Sequence, residues 1–249
     1  MSVDIDITGQ VVVVTGAAQG IGRTLALGLA AEGATVAVLA RDRERAQRVV
    51  DEIGGDAMPL VADVGDEDSV ARAAAEVDAR WGRVDALINN AGWMPGSHRV
   101  LDMELRVLER VLRSNLIGCF LTTKHFAPLM IRGGGGRIVY LTSIAGVQSS
   151  PGGSAYGGSK AALNILSNVV HQELADDGIR TVAVAPGLTV TPGMREIVTE
   201  EHLTRVVVGY PGGRVGRPED LVGLTAFLCS AAADHLSGTV ITMRPSVVR

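Results

Sequence analysis

Short apolar runs rich in β-branched residues alternate with longer stretches of helical periodicity from one end of the chain to the other. Residues 11–14, 35–39, 57–61, 84–88, 137–141, 179–184 and 239–242 predict strands. Most of these runs are apolar at successive positions instead of alternate ones, as strands covered on both faces must be. Residues 21–31, 43–53, 67–81, 103–130, 155–176 and 219–231 predict helices. Pro218-Glu219-Asp220 sets a proline and two acids where a helix start has free N–H groups, and Gly178 closes the long helix before it. Unbroken alternation of this kind predicts an α/β chain with a doubly wound parallel sheet, one domain over residues 1–249.

One segment leaves the alternation. Residues 188–217 carry Thr, Pro and Gly punctuation around a short helical stretch at 194–208. The segment follows the sixth strand, at the end where open α/β sheets bind ligands, and its length predicts a substrate lid. There is no internal repeat, and the glycines at 133–136 are a loop before a strand.

Composition narrows the function classes. The chain has 249 residues, 47% of them apolar, enough for a sizeable core without staples. Its formal charge of −4, with acids and bases interleaved, argues against nucleic acid or a polybasic membrane contact as a partner. The start carries acids where a signal peptide needs positive charge, and no apolar run approaches a membrane span, so a cytoplasmic protein is expected. The two cysteines, Cys119 and Cys229, sit in apolar stretches and predict buried thiols, not a disulfide. The histidines lack metal-ligand spacing, so no metal site is expected.

Two features carry chemistry. The first strand runs directly into Thr15-Gly16-Ala17-Ala18-Gln19-Gly20-Ile21-Gly22 and then a helix. Glycines there let the backbone turn tightly against a pyrophosphate, while the helix start supplies N–H groups. The second is Tyr156 and Lys160, four residues apart on one face of the helix after the fifth strand. An ammonium beside a phenol favours the phenolate, and such a group can exchange a proton with a carbonyl or hydroxyl oxygen. Ser143, just past the fifth strand, could hydrogen-bond the same oxygen. Only Lys124 and Lys160 among the 23 basic residues are lysines, so a lysine here is notable: arginine cannot replace a compact ammonium.

These residues resemble the short-chain dehydrogenase/reductase family nearly end to end. Thr15-Gly16 through Gly20-Ile21-Gly22 is similar to its cofactor turn, and Asp63-Val64 to the pair that contacts adenine. Asn89-Asn90-Ala91-Gly92 resembles the motif that ends the fourth strand beside the cofactor. Ser143, Tyr156 and Lys160 match the catalytic triad in order and spacing, and Asn115 matches the asparagine of the proton relay. Pro186-Gly187, with Thr189 and Thr191, resembles the stretch that holds the nicotinamide carboxamide. Two positions depart: Thr189 stands where the family often has Ile or Val, and Met243-Arg244-Pro245-Ser246 replaces an Asp-Gly-Gly tail.

The resemblance implies a Rossmann fold of about seven parallel strands and an NAD(P)(H)-dependent oxidoreductase that interconverts a ketone and a secondary alcohol. Tyr156 would be the acid/base, Lys160 would bind the ribose hydroxyls, Ser143 would orient the carbonyl, and Asn115 would hold a water linking Lys160 to solvent. Gly16, Gln19, Gly20, Ile21, Gly22, Asp63, Val64, Asn89, Ala91, Gly92, Pro186, Gly187, Thr189 and Thr191 would bind the cofactor along with Tyr156 and Lys160. The position where NAD-preferring relatives carry an acid falls on Ala40, and Arg41 follows, placed to pair with a 2′-phosphate. NADP(H) is therefore expected over NAD(H), with Asp42 and Gln19 as the features against it. Trp93-Met94-Pro95, Val147-Gln148 and residues 194–198 would line a largely apolar substrate pocket. A homotetramer is implied, paired through the helices at 103–130 and 155–176, where Gly118, Cys119, Ala161 and Ala162 would allow close approach. Alternatives are a 3-oxoacyl thioester (acyl carrier protein) reductase and a catalytically inactive nucleotide-binding sensor. A sugar-nucleotide epimerase would need Gly-x-x-Gly-x-x-Gly and a further domain.

Overall fold

Along the first strand, Val12 and Val14 turn into one apolar cluster and Val11 and Val13 into another. That division runs through the central strands and is why they read as apolar at successive positions. The computed structural model describes residues 5–148, 150–191, 207–208 and 214–244. Strands β1 (Val11–Thr15), β2 (Thr35–Ala40), β3 (Met58–Val61), β4 (Ala86–Asn89), β5 (Gly136–Leu141), β6 (Ile179–Pro186) and β7 (Thr239–Met243) form one 7-stranded sheet in the order β3-β2-β1-β4-β5-β6-β7. Every neighbouring pair is parallel. One face is covered by α1 (Gly20–Ala31), α2 (Arg43–Ile53) and α7 (Val222–Cys229), the other by α3 (Glu67–Trp81), α5 (Gly118–Arg132) and α6 (Ser154–Leu174). The doubly wound α/β architecture expected from the alternation is the one observed.

Helix ends follow their caps. α2 and α3 begin and end where the sequence predicts because side chains mark them. Asp42 accepts the Arg45 N–H at 3.0 Å, Asp66 accepts the Ser69 N–H at 2.7 Å, and Gly82 closes α3 in a left-handed turn. The span expected as one helix at 103–130 is interrupted. α4 (Leu105–Leu112) runs into a wide π turn, Arg113–Ile117, before α5 starts. The wider turn re-aims the residues it holds, and Asn115 is one of them. The span expected as a helix at 219–231 begins instead with a tight 3-10 turn, Pro218–Leu221, before α7. Asp220 accepts the Arg217 N–H there at 2.8 Å.

Chain order reverses between β1 and β4, the switch point at which open α/β sheets leave a crevice. Thr15 and Asn90 stitch this point together. The Thr15 hydroxyl accepts the N–H groups of Asn90 and Ala91 at 3.0 and 2.9 Å, and the Asn90 amide donates to the Thr15 carbonyl at 2.8 Å.

Of the lid expected at 188–217, residues 192–206, 209–210 and 211–213 lie outside the described residues, including most of the helical stretch at 194–208. Its two ends are tied together: Thr189 bridges Gly216, with N–H to O distances of 3.0 Å from Val190 and 2.8 Å to Leu188. Pro245 and Ser246 of the altered tail also lie outside. Gly118 and Cys119 do not offer the outward contact expected of them. A Cβ on Gly118 would meet Val64 at 2.7 Å, and Cys119 is buried in the core. Burial pushes the Cys119 thiol up to about 11 and the Cys229 thiol up to about 12.

Candidate active site

At the β1–α1 junction the backbone itself makes the cradle. Gly16 adopts φ +64, and a Cβ there would approach the Ala91 Cα at 2.9 Å. A Cβ on Gly22 would run into the Gly16 carbonyl oxygen. Glycine is therefore required at both positions by close approach of the chain to itself, which keeps the turn flat against the crevice. α1 starts with Gln19 at its N-cap and no side-chain bond to its free N–H groups, so they remain available to an anion.

This turn forms one wall of a cavity of about 510 Å³. Of the cofactor residues expected from sequence, Gly16, Gln19, Gly20, Ile21, Gly22, Arg41, Asp63, Val64, Ala91, Gly92 and Thr191 line it. Its lining suits a dinucleotide: a glycine-rich turn at a helix start, with Asp63, Val64, Gly92 and Trp93 also on the wall. A smaller cavity of about 140 Å³ adjoins it and shares Ile21, Asn90, Gly92 and Trp93. Tyr156, Lys160, Met94, Leu141, Thr142 and Pro186 complete that smaller space.

Tyr156 and Lys160 reach it from successive turns of α6. Tyr156 is half-buried, whereas Lys160 is buried and donates to the Leu141 carbonyl at 2.7 Å. Its Nζ lies 5.7 Å from the centre of the Tyr156 ring. The other lysine, Lys124, is half-exposed and pairs with Glu67 on the surface at 2.5 Å. The contrast separates a buried ammonium at a cavity from a solvated one.

Several expected residues sit differently. Asn89 turns away from the cavity: its Oδ1 accepts the Thr122 hydroxyl at 2.6 Å and its amide donates to Thr123 at 3.4 Å, tying β4 to α5. Asn90, the next residue, lines both cavities in its place, because side chains on successive strand positions point to opposite sides. Ser143 begins the short 3-10 turn Ile144–Gly146, its hydroxyl accepting the Ala145 N–H at 3.1 Å, and it lies one residue beyond the cavity-lining Thr142. Gly187 pairs with β7 through the Met243 carbonyl at 2.7 Å, and buried Thr189 donates to the Gly187 carbonyl at 3.1 Å. Neither lines a cavity.

Asn115 is fully buried. Its Oδ1 accepts the Trp93 N–H at 2.7 Å, and its amide donates to the Trp93 carbonyl and the Ser159 hydroxyl, both at 3.1 Å. The side chain thus fixes the strand of wall shared by the two cavities. The space a Gly92 Cβ would take is flanked by Asn115 Oδ1 at 3.3 Å and Lys160 Nζ at 3.6 Å.

The family model for short chain dehydrogenases matches residues 10–202. A 7alpha-hydroxysteroid dehydrogenase of Escherichia coli is 33% identical over 238 residues, 94% of this chain and 92% of that protein. A 3-oxoacyl-[acyl-carrier-protein] reductase of Synechocystis is 36% identical over 247 residues, 97% of this chain and 98% of that one. Among solved structures, a gluconate 5-dehydrogenase from Burkholderia cenocepacia in complex with NADP and tartrate superposes with a TM-score of 0.90 at 31% identity, covering 96% of this chain and 95% of that one. A 7alpha-hydroxysteroid dehydrogenase complexed with NADH and 7-oxo glycochenodeoxycholic acid superposes equally well, TM-score 0.90 at 32% identity, over 96% and 94% of the two chains.

This chain is a short-chain dehydrogenase. It is an NAD(P)-dependent oxidoreductase of the class that interconverts carbonyl and hydroxyl groups.

Reading the sequence alone misses several cavity residues of this short-chain dehydrogenase. Arg45 lines the large cavity from the first turn of α2, its guanidinium 3.4 Å from the Gln19 side chain. Arg110, Arg113 and Ser114 line it from α4 and the π turn. Their spacing at i, i+3 and i+4 is the available signal, since it puts all of them on one helix face. What the sequence does not give is which face meets the crevice. Of the expected substrate-side residues, Trp93 and Met94 line the small cavity, while Val147 and Gln148 are exposed outside it. The Pro95 carbonyl lies 3.1 Å from His98 Nε2. No helix among the described residues is long and apolar enough to cross a membrane.

Proposed function

We propose that this enzyme interconverts a largely apolar ketone and its secondary alcohol, with Tyr156 transferring the proton and NADP(H) preferred over NAD(H). The observation that carries this reading is the pairing of Tyr156 and buried Lys160 in a small cavity that opens onto the glycine-turn cavity through Gly92 and Trp93. When bound, the nicotinamide supplies or accepts the hydride. Tyr156 gives a proton to the carbonyl oxygen in reduction and takes one from the hydroxyl in oxidation. Lys160, held by the Leu141 carbonyl, stands beside the Tyr156 ring and binds the ribose hydroxyls. Ser143 orients the reacting oxygen: its hydroxyl accepts the Ala145 N–H and keeps its own proton to donate. Asn115 stands beside Lys160 around Gly92 and belongs to the relay that carries protons to solvent.

Gly16, Gln19, Gly20, Ile21 and Gly22 hold the pyrophosphate, Asp63 and Val64 the adenine, and Asn90, Ala91, Gly92, Pro186, Gly187, Thr189 and Thr191 the nicotinamide half. The preference for NADP(H) rests on the end of β2. Ala40 offers no carboxylate there, and Arg41 and Arg45 line the cavity next to it. The Asp42 carboxylate is engaged at the start of α2, where the Arg45 N–H holds it below the usual carboxylate range. Trp93, Met94, Leu141 and Pro186 give the small cavity an apolar side beside its polar Tyr156 and Lys160, which supports a lipophilic substrate. The chain is one domain, since all seven strands share one sheet. Exposed Ile117 and Phe120 beside α5, with exposed Ile165 and Val169 on α6, support pairing of copies into a homotetramer. Two free buried cysteines suit a cytoplasmic, reducing setting.

The test is a panel of ketones, secondary alcohols and a 3-oxoacyl thioester, followed by nicotinamide absorbance with both cofactors. Turnover is expected with apolar ketones and NADPH. Turnover confined to polyhydroxylated or charged substrates would sink the substrate assignment, and a preferred thioester would move it to acyl reduction.

A further inference from the structure

Arg110 is an exposed cation laid on a ring. Its guanidinium carbon lies 4.0 Å from the centre of Trp93, the aromatic residue that lines both cavities, and among the described residues it has no oxygen partner. Such a contact between an exposed guanidinium and a half-buried ring is held weakly and is exchanged for an anion at small cost. We propose that Arg110 is a phosphate-binding residue on the far wall of the cleft, pairing with the pyrophosphate of the dinucleotide and leaving the face of Trp93 as it does so. The proposal rests on the reading of the large cavity as the dinucleotide site.

Charge accounting along the cavity favours this partner. The glycine turn offers N–H groups but no cation, since Gln19 is its only long polar side chain. Arginines line the cavity at four places: Arg41 and Arg45 by the end of β2, and Arg110 and Arg113 on the opposite wall. Arg113 donates to the Gly65 carbonyl at 3.0 Å, and Arg45 leans on Asp42 and Gln19. Arg41 and Arg110 are left without an oxygen partner among the described residues, at well separated parts of the wall. A phosphorylated dinucleotide brings phosphate to two such places, its 2′ position and its pyrophosphate. Arg41 is next to the ribose end. Arg110 lies one turn before Arg113 on α4 and against Trp93, so it stands between the adenine end and the Tyr156 cavity, across from the turn. A guanidinium there can make two parallel bonds to phosphate oxygens, which an indole face cannot offer.

The proposal separates Arg110 from Arg41 by which cofactors each one touches. Arg110→Ala and Arg110→Gln should weaken NAD+ and NADP+ by the same factor, about tenfold, because both carry the pyrophosphate. Binding of adenosine 2′-monophosphate, which lacks it, should be unchanged, and Arg110→Lys should recover part of the loss. The loss should shrink as salt rises. With Trp81→Phe, Trp93 becomes the single tryptophan. ADP-ribose should then shift its emission in the Arg110 protein and not in the Gln variant. Titration calorimetry and this emission give both readouts without turnover. Unchanged affinity for both dinucleotides would overturn the proposal, as would a loss confined to NADP+. So would unchanged cofactor affinity with a raised substrate KM, which would mean an anion on the substrate. If the parent protein binds neither dinucleotide, the reading of the cavity fails, and this proposal falls with it. If the parent binds them and the variants bind equally well, only the role of Arg110 fails.

Discussion

The two ends of the cleft are built from different materials. At the β1–α1 turn the wall is largely main chain: Gly16 and Gly22 make contacts too close for any side chain, and no side chain caps the N–H groups at the start of α1. At the Tyr156 end the wall is largely side chain, and two of its residues are held by specific partners. Lys160 is fixed by the Leu141 carbonyl, and Trp93 is held at both backbone atoms by Asn115. A backbone cradle can bind any dinucleotide phosphate but cannot choose a reaction, because it presents only N–H donors. A wall of positioned side chains supplies the proton and excludes water, at the cost of burying polar groups that must all be satisfied.

The largest break should come from the side-chain end. Tyr156→Phe removes the transferable proton and leaves the ring, so turnover should fall roughly a thousandfold while cofactor affinity is largely kept. Steady-state rates together with cofactor titration check this, and retention of a tenth of the wild-type rate would dissolve the contrast between the two ends.

Asn115→Ala probes the same end through stability. It strips partners from the Trp93 N–H and carbonyl and from the Ser159 hydroxyl, so unfolding free energy should drop by about 1–3 kcal/mol. Urea denaturation measures it. A loss below a few tenths of a kcal/mol would mean that water replaces the amide and that the wall is softer than its hydrogen bonds suggest.

Arg41→Ala sharpens the other end. The ratio of kcat/KM for NADPH over NADH should fall by about tenfold, with the NADH value nearly unmoved, because only the phosphorylated cofactor meets that guanidinium. An unaltered ratio would place cofactor choice elsewhere in the turn.

The smallest effect is a control on burial. Cys119 and Cys229 are buried and their thiols are raised to about 11 and about 12, so both stay protonated at pH 8. The native protein should therefore consume almost no thiol reagent at that pH, and both cysteines should react in denaturant. Rapid labelling of the native protein would show that the sheet faces open far more readily than their packing implies.

Legibility in the sequence followed the physics of each element. α2 and α3 were readable to the residue because Asp42, Asp66, Gly54 and Gly82 cap them locally. The 103–130 span was read as one helix because a π turn leaves no mark in hydrophobic spacing. Asn89 and Asn90 are equivalent in composition, and their separation into a tie to α5 and a wall of the cleft depends on the side each takes at the end of β4. Gly118 and Cys119 looked like small interface residues but are needed inward, against Val64 and the core.

By itself the sequence determined the strand–helix alternation, the glycine turn at the end of β1 and the Tyr156–Lys160 pair, since each depends on neighbours within a few positions. Tertiary structure alone decided what spans the cleft. It brought Arg110 and Arg113 to the wall facing the glycine turn, set Arg110 on Trp93, and buried Lys160 beside Leu141 while leaving Lys124 in solvent. The reason is that the glycine turn and the α4 wall are far apart along the chain and meet because β1 and β4 are neighbours where the strand order reverses. No local periodicity encodes that crossing, and only the packed sheet fixes which helix face closes over it.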